Sequence, residues 1–271
     1  MSNATRQSNA AARERLEALT DHSAVDTSAL AGDLLAVTDL LDREAGLRGT
    51  LTDPGIEGQR KADLVTALFD GRIGAEALDL VSGLVRSRWS ATRDLADTCE
   101  QLAFLAEIIG ADRADALDET EDELFRFGRI VSSSGDLRAA LTDRRAPAEA
   151  KAGLLRSLLE GRANRYTEQL LSRLVTQPRG RSLDAGIDAL TKLAAARRDR
   201  VVAVVVSAVP LNDTQKRRLG EALARIYGRQ VHLNLDVDPA VLGGVSVRIG
   251  DEVINGTIAD RLDEASRRMA G

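Results

Sequence analysis

Few side chains in this sequence sit at spacings that serve chemistry. Asp236, Asp238 and Asp251 could be imagined as a metal site, and Asp236 and Asp238 share a strand face by the period of two. No His or Glu stands at ligand spacing beside them, so they read as turn and surface residues. His22 and His232 are the two histidines; His232 alternates with apolar strand residues and is expected to face outward. Cys99 lies between Leu95 and Leu102 at helical spacing and reads as a small core residue. Without a basic neighbour, its thiol is not a nucleophile. Trp89 reads as core or as a contact anchor. Arg144-Arg145 and the Arg197–Arg200 run stand among acids, so they read as a solvated face or as partners in salt bridges. No G-x-x-x-x-G-K-[ST] phosphate cradle occurs. The sequence thus predicts no catalytic residue, no cofactor and no metal.

Composition narrows the class. The 271 residues allow two or three domains, and 44% hydrophobic with 29% charged residues describes a soluble globular chain. A net charge of −5 and 3% aromatics argue against nucleic acid, which calls for basic grooves and stacking platforms. One cysteine excludes a disulfide framework within the chain and fits a reducing compartment. No secretory signal is visible. The longest strongly apolar run, Val201 to Val206, is too short for a bilayer, so any membrane link is expected to run through a partner.

The elements that would position side chains are clearest near the C-terminus. Leu233, Leu235 and Val237 alternate with polar residues as in a half-buried strand, and Pro239 ends the ladder. Gly243-Gly244 turns the chain into Val245, Val247 and Ile249. Gly250-Asp251, the stub Val253-Ile254 and the turn Asn255-Gly256 follow. Thr257 and Asp260 have capping-box spacing, and Ile258, Leu262, Ala265 and Met269 share a helical face. Upstream, Val201 to Val206 predicts a buried strand continuing through Ala208 and Val209 to Pro210. Asn212 with Gln215 predicts a capped helix whose face is Leu219, Leu223 and Ile226, stopped at Gly228.

This stretch resembles the C-terminal signature of the delta subunit of F-type ATP synthase, the oligomycin-sensitivity-conferring protein family. The resemblance rests on the ordered set Val237-Asp238-Pro239, Gly243-Gly244, Val245-x-Val247, Gly250-Asp251, Val253-Ile254, Asn255-Gly256-Thr257-Ile258 and Arg261-Leu262, with Ser207-Ala208-Val209-Pro210-Leu211 upstream. Asn255 stands where the family has Asp, a swap that suits the turn equally. The family's opening A-R-x-Y-A-x-A-L is matched loosely by Ala12-Arg13 and Ala18-Leu19, with Leu16 near the tyrosine's place.

The rest reads as helix. Ser2 to Asn9 is polar and expected to fray; Ala10 to Leu19 and Ala24 to Glu44 are amphipathic, the latter with Leu30, Leu34, Val37 and Leu41 on one face. A shift of about 90 residues superposes Leu51-Thr52-Asp53 on Leu141-Thr142-Asp143, Lys61-Ala62 on Lys151-Ala152, and Gly71-Arg72 on Gly161-Arg162. The expected fold is therefore mainly α: two tandem helical bundles, 1–107 and 108–197, followed by a small α/β domain, 198–271. Ser132 to Gly135 reads as an inter-helix loop. The family has one such bundle, and the longer form is similar to its actinobacterial members.

The resemblance implies a non-catalytic stator subunit. It would hold N-terminal helices of the alpha subunits and the C-terminal region of the membrane-anchored b subunit. It would be present once per complex, at the cytoplasmic face of the cell membrane, peripheral and not inserted. It carries an alpha-binding role onto Arg13, Leu16 and Leu19, and makes Gly243, Gly244, Arg248, Gly250, Asp251 and Gly256 turn or interface candidates. Two other readings stay open: a helical adaptor unrelated to ATP synthesis, and an enzyme using the glycine turns near Gly243 as a phosphate site, though no helix N-terminus follows closely there.

Overall fold

The computed structural model describes residues 3–21, 25–198, 201–227, 231–238, 245–249 and 252–255. The chain divides into two compact units, Met1–Arg198 and Asp199–Gly271.

The first unit is all helix: α1 Asn3–Asp21, α2 Thr27–Arg43, α3 Ala45–Thr52, α4 Gly58–Phe69, α5 Ala75–Arg86, α6 Thr92–Arg113, α7 Leu117–Ser133, α8 Gly135–Thr142, α9 Ala148–Leu159, α10 Arg165–Thr176 and α11 Leu183–Arg198. Both ends of α2 and α7 lie 90 residues apart, as do those of α3 and α8, α4 and α9, and α5 and α10. The offset extends to buried side chains, pairing Leu34 with Leu124, Leu51 with Leu141, Val65 with Leu155 and Leu84 with Leu174. It extends to polar detail as well. Arg48 donates to the Leu41 carbonyl at 2.6 Å and Arg138 to the Val131 carbonyl at 3.2 Å, each tying a short helix to the end of its predecessor. Asp33 accepts from the Gly74 N–H and Glu123 from the Asn164 N–H. Gly71 and Gly161 both stop a helix with φ near +68°, a conformation open to glycine at little cost.

Helix α6 belongs to both copies. Leu102, Leu105, Ala106 and Ile109 enter the first hydrophobic core, with Leu16, Leu34, Val37, Leu80 and Leu95. Phe104 and Ile108 enter the second, with Leu124, Phe127, Leu155, Leu170 and Ile187. A helix apolar on opposite sides is buried on both. The expected division between residues 107 and 108 thus falls inside α6.

Several local expectations change in the structure. Residues 3–9 are helical and tied down: Thr5 donates to Asp94 at 2.6 Å and Ser8 to the Arg88 carbonyl at 2.9 Å. Polar side chains there find polar partners, so polarity did not mean fraying. Helix α2 begins at Thr27 because the Asp26 carboxylate caps the N–H groups of Ser28 and Ala29, both at 3.0 Å. Between α7 and α8 only Ser134 is non-helical, and its hydroxyl caps α8.

The second unit contains β1 Val201–Ser207, α12 Asp213–Tyr227, β2 Val231–Val237, β3 Val245–Ile249 and β4 Glu252–Asn255. Sheet order is β2-β1-β3-β4. β1 and β2 run parallel with Val205 opposite Leu235, and α12 supplies the crossover such a pair needs. β3 is antiparallel to β1, with Val247 opposite Val205, and β4 is antiparallel to β3. Ala203, Val205, Val247 and Leu223 form its core. The predicted capping box is formed: Gln215 N–H donates to the Asn212 side chain and Asn212 N–H to Gln215, each at 2.9 Å. β1 stops at Ser207, whose hydroxyl bonds the Val209 carbonyl in a turn and leaves Val209 exposed. Ile226, expected on the buried face of α12, is 68% exposed, and Tyr227 packs there instead. Gly228 and the capping box and helix expected from Thr257 onward lie outside the described residues.

The junction of α2, α6 and α10 is tight. A Cβ on Gly110 would stand 2.4 Å from the Thr27 hydroxyl and 2.9 Å from the Tyr166 ring. Gly153, exposed in α9, has nothing within 4 Å. Gly110→Ala is expected to lose about 1–3 kcal/mol of unfolding free energy through overpacking, while Gly153→Ala gains about 0.5–1 kcal/mol from helix propensity. Urea denaturation followed by helical circular dichroism checks both.

Candidate interaction surfaces

Helix α1 lies along α5 and α6. Its inner face is Ala12, Leu16 and Thr20. Leu16 is fully buried, so it serves the first core; Leu19 is half-buried beside it, and Arg13 is exposed. A surface on α1 is therefore built from Arg13 and the rim of Leu19, while Leu16 fixes the helix beneath them. Arg15, which sequence reasoning did not single out, reaches α5 and pairs with both oxygens of Asp79 at 2.8 and 2.5 Å. Both are nearly half exposed to solvent, so the pair adds little stability.

The strongest electrostatic feature joins the two copies. Glu100 on α6 is 1% exposed and faces three arginines from the second copy. Arg179 contacts Glu100 at 3.0 Å, Asp97 at 2.8 Å and both oxygens of Asp42. Arg173, on α10, contacts Asp39 at 2.7 Å and lies 3.6 Å from Glu100; Arg181 lies 2.7 Å from Glu100. The backbone is shaped for this. Arg179 has φ +50° and Gly180 φ +83°, a left-handed pair after Pro178, and Arg93 holds the Arg179 carbonyl at 2.8 Å. A left-handed non-glycine residue is a strained one, here held by its guanidinium. Burial pushes the Asp42 carboxyl up, but the hydrogen bond and charge of Arg179 outweigh it and hold the group below its usual range. Burial opposes the charge on Arg179, and its carboxylate partners raise its pKa regardless. Sequence reasoning did not single out Pro178-Arg179-Gly180, whose partners lie far away in the chain.

Other candidates resolve simply. Cys99 is fully buried and its thiol is pushed up to about 12 by burial, so it is inert. Trp89 packs against the first core and donates to the Leu84 carbonyl at 2.9 Å. In the basic run, Arg197 pairs with Asp112 and Arg198 with Glu121, both at 2.7 Å. Asp236 and Asp238 are exposed, and no group of metal-ligating side chains occurs among the described residues. Arg248 is exposed between Val247 and Ile249 on β3. Gly243, Gly244, Gly250, Asp251 and Gly256 lie outside the described residues, as do His22 and the side chain of His232. No described helix is long and apolar enough to cross a membrane.

Comparison with known proteins places the chain in a family. Residues 105–269 match the family described as ATP synthase delta (OSCP) subunit. The chain is 65% identical to an ATP synthase subunit delta of Streptomyces griseus over the whole of both chains. It is 46% identical to that of Kineococcus radiotolerans over 97% of this chain and 95% of the relative. A Thermobifida fusca relative of the same name is 46% identical over 91% of each. The chain belongs to the ATP synthase delta (OSCP) subunit family. It is a non-catalytic component of the peripheral stalk, in a long form. The matched stretch starts at Leu105, within α6, so it takes in the second helical copy and the α/β unit and leaves α1–α5, with Arg13, Leu16 and Leu19, outside it.

Two outcomes test the electrostatics. Arg179→Ala takes the cation from half-buried Asp42 and one of three from buried Glu100, and is expected to cost about 3 kcal/mol in urea denaturation near pH 7. The Asp42 contribution is present above its ordinary pKa of 3.8 and disappears as pH falls through its lowered folded value, so the loss shrinks in strong acid. Glu107, 7% exposed and bonded to Ser28, has the opposite sign: burial pushes it up to about 7. Its folded form keeps a proton the unfolded chain has released, so it favours folding in acid and opposes it as pH rises through about 7. Glu107→Gln should therefore gain on the order of 1–2 kcal/mol at pH 8 and little near pH 4.5, read as the melting-temperature difference from wild type across pH.

Proposed function

We propose that this chain couples the catalytic head of ATP synthase to the membrane-anchored stalk. It holds N-terminal helices of the alpha subunits and the C-terminal region of the b subunit, once per complex, at the cytoplasmic face of the membrane. The observation that carries this reading is full-length similarity to ATP synthase delta subunits together with a helical unit built for stiffness. Proton-driven rotation exerts torque on the head, and synthesis requires that the head stay fixed. A linker under that load needs rigid elements and contacts that do not slip. Two cores sharing one helix, locked by buried ion pairs, meet the first need. Apolar faces that accept amphipathic partner helices meet the second, and several on one chain add avidity. The family model matches residues 105–269, while delta subunits of similar length align from end to end; we assign the duplication to strengthening the attachment, with 1–107 and 108–197 as two contact-bearing parts around the shared α6.

Calorimetric titration of the full chain tests this, with a peptide of the cognate alpha N-terminal helix and, separately, a soluble C-terminal fragment of the cognate b subunit. Both should bind. Arg13→Glu with Leu19→Glu should weaken the alpha peptide by about tenfold or more if α1 carries the head contact. An unchanged affinity would move that contact to α6–α11, and failure of the folded chain to bind either probe would favour the adaptor reading.

A further inference from the structure

The second copy holds a basic pocket whose charges the chain does not fully compensate. It opens between α8, α9, α10 and the start of α11, with a volume of about 760 Å³. Small-ligand sites span roughly 300–1,000 Å³. The apolar part of its lining is Leu141, Leu174, Val175 and Leu183, all buried. Four cations line it, Arg138, Arg144, Lys151 and Arg181, against one acid, Asp184. Two of the four are already engaged. Arg138 lies 3.3 Å from Asp184 and donates to the Val131 and Ser132 carbonyls; Arg181 lies 2.7 Å from Glu100. Asp184 is thereby neutralised, and it also accepts from the Ser132 hydroxyl at 3.2 Å. The side chains of Arg144 and Lys151 have no hydrogen-bond or ion-pair partner among the described residues. The pocket therefore keeps two uncompensated positive charges.

Lys151 is the informative one. It is only 8% exposed, and a lysine so deeply buried is rarely left unpaired. The duplication shows how such a lysine is satisfied. Lys61, ninety residues earlier and also buried, donates its Nζ to the Asp53 carbonyl at 3.4 Å, just past the end of α3. Lys151 makes no such bond and lines the pocket. The pocket also takes in Ser182, Leu183 and Asp184, where α11 begins. The leading N–H groups of a helix lack acceptors within it and favour a negative charge. The Ser182 hydroxyl accepts the Ala185 N–H at 3.2 Å and keeps its own proton to donate.

We propose that this pocket binds a phosphomonoester, with Lys151 and Arg144 on the phosphate and the apolar lining over the body of the ester. The charges match: a phosphomonoester carries about −1.5 to −2 near neutral pH, whereas a carboxylate would leave one of the two cations uncompensated. A soluble ester and a lipid headgroup share this chemistry. The inference does not rest on the stator reading.

The test uses the full chain, titrated calorimetrically with adenosine monophosphate and with inorganic phosphate, and cosedimented with phosphatidylcholine vesicles with and without phosphatidic acid. One-to-one binding of adenosine monophosphate assigns a soluble ester, and retention on phosphatidic acid vesicles alone assigns a lipid headgroup; either supports the proposal. Binding should fall about tenfold or more in Lys151→Met and about threefold or more in Arg144→Glu, and stay unchanged in Lys61→Met. Circular dichroism verifies folding, and Arg144→Glu, at an exposed position, decides the matter if Lys151→Met does not fold. Inorganic phosphate should bind more weakly than adenosine monophosphate because it leaves the apolar lining uncovered; equal affinity would overturn the ester in favour of a bare anion. Failure of every probe to bind, or binding that survives both pocket variants, would overturn the site. The alpha peptide and the b fragment should bind Lys151→Met as they bind the wild type, so loss of this site and loss of the stator reading are separate results.

Discussion

A carboxylate taken almost wholly out of water is costly unless cations are fixed around it. Glu100 imposes that requirement on the helical unit. Its three arginines come from the second copy, while the carboxylates that share them, Asp39, Asp42 and Asp97, come from the first. Each side thus supplies what the other cannot leave uncompensated. Such a cluster adds modest net stability, because desolvation cancels much of the attraction, but separating its halves is costly. Its contribution is to geometry, since few other arrangements of the two copies satisfy every charge at once.

The shared helix α6 works in the same direction by different physics. Its opposite faces enter different cores, so neither core can form without ordering the other's edge. Ordinary tandem domains meet across a polar surface with a linker and are expected to move. Here the connection is the continuous hydrogen-bonded backbone of one helix, packed on both sides. The close approach of Gly110 to Thr27 and Tyr166 lies at the same junction and allows little adjustment. Glu107, bonded to Ser28 nearby, is pushed toward its protonated form by the same packing.

The periodic parts of the fold were legible in the sequence. Leu30, Leu34, Val37 and Leu41 share the buried face of α2 as their spacing requires, and the reciprocal cap of Asn212 and Gln215 follows from two residue types three apart. What could not be read depended on partners distant in the chain. Thr5 and Ser8 look like a polar tail until Asp94 and the Arg88 carbonyl are brought beside them. Arg179 sits in an unremarkable turn, and its role exists only because Asp42 and Glu100 lie more than seventy residues away in sequence. Ile226 fits a helical face by count, yet the sheet beneath α12 is met by Leu219, Leu223 and Tyr227. Among the candidate interface residues, Leu16 was legible as apolar and helical, but not as the side chain of α1 that faces inward.

The contact between the copies is head-to-tail: the end of α10 in one copy meets the α2–α6 side of the other, and different surfaces are used on each. Such a heterologous arrangement does not close on itself and always leaves two unlike ends. At one end, the position equivalent to Arg179 is Trp89, which turns back onto its own helix through the Leu84 carbonyl. At the other, the second copy leaves Phe125 and Ile130 exposed where the first has Leu35 and Leu40 partly buried. The helical unit is therefore polar in the sense that a filament is polar. One terminus is sealed by its own aromatic side chain and the other exposes two apolar ones, and lengthening the array by further 90-residue blocks would change its reach without changing what either end presents.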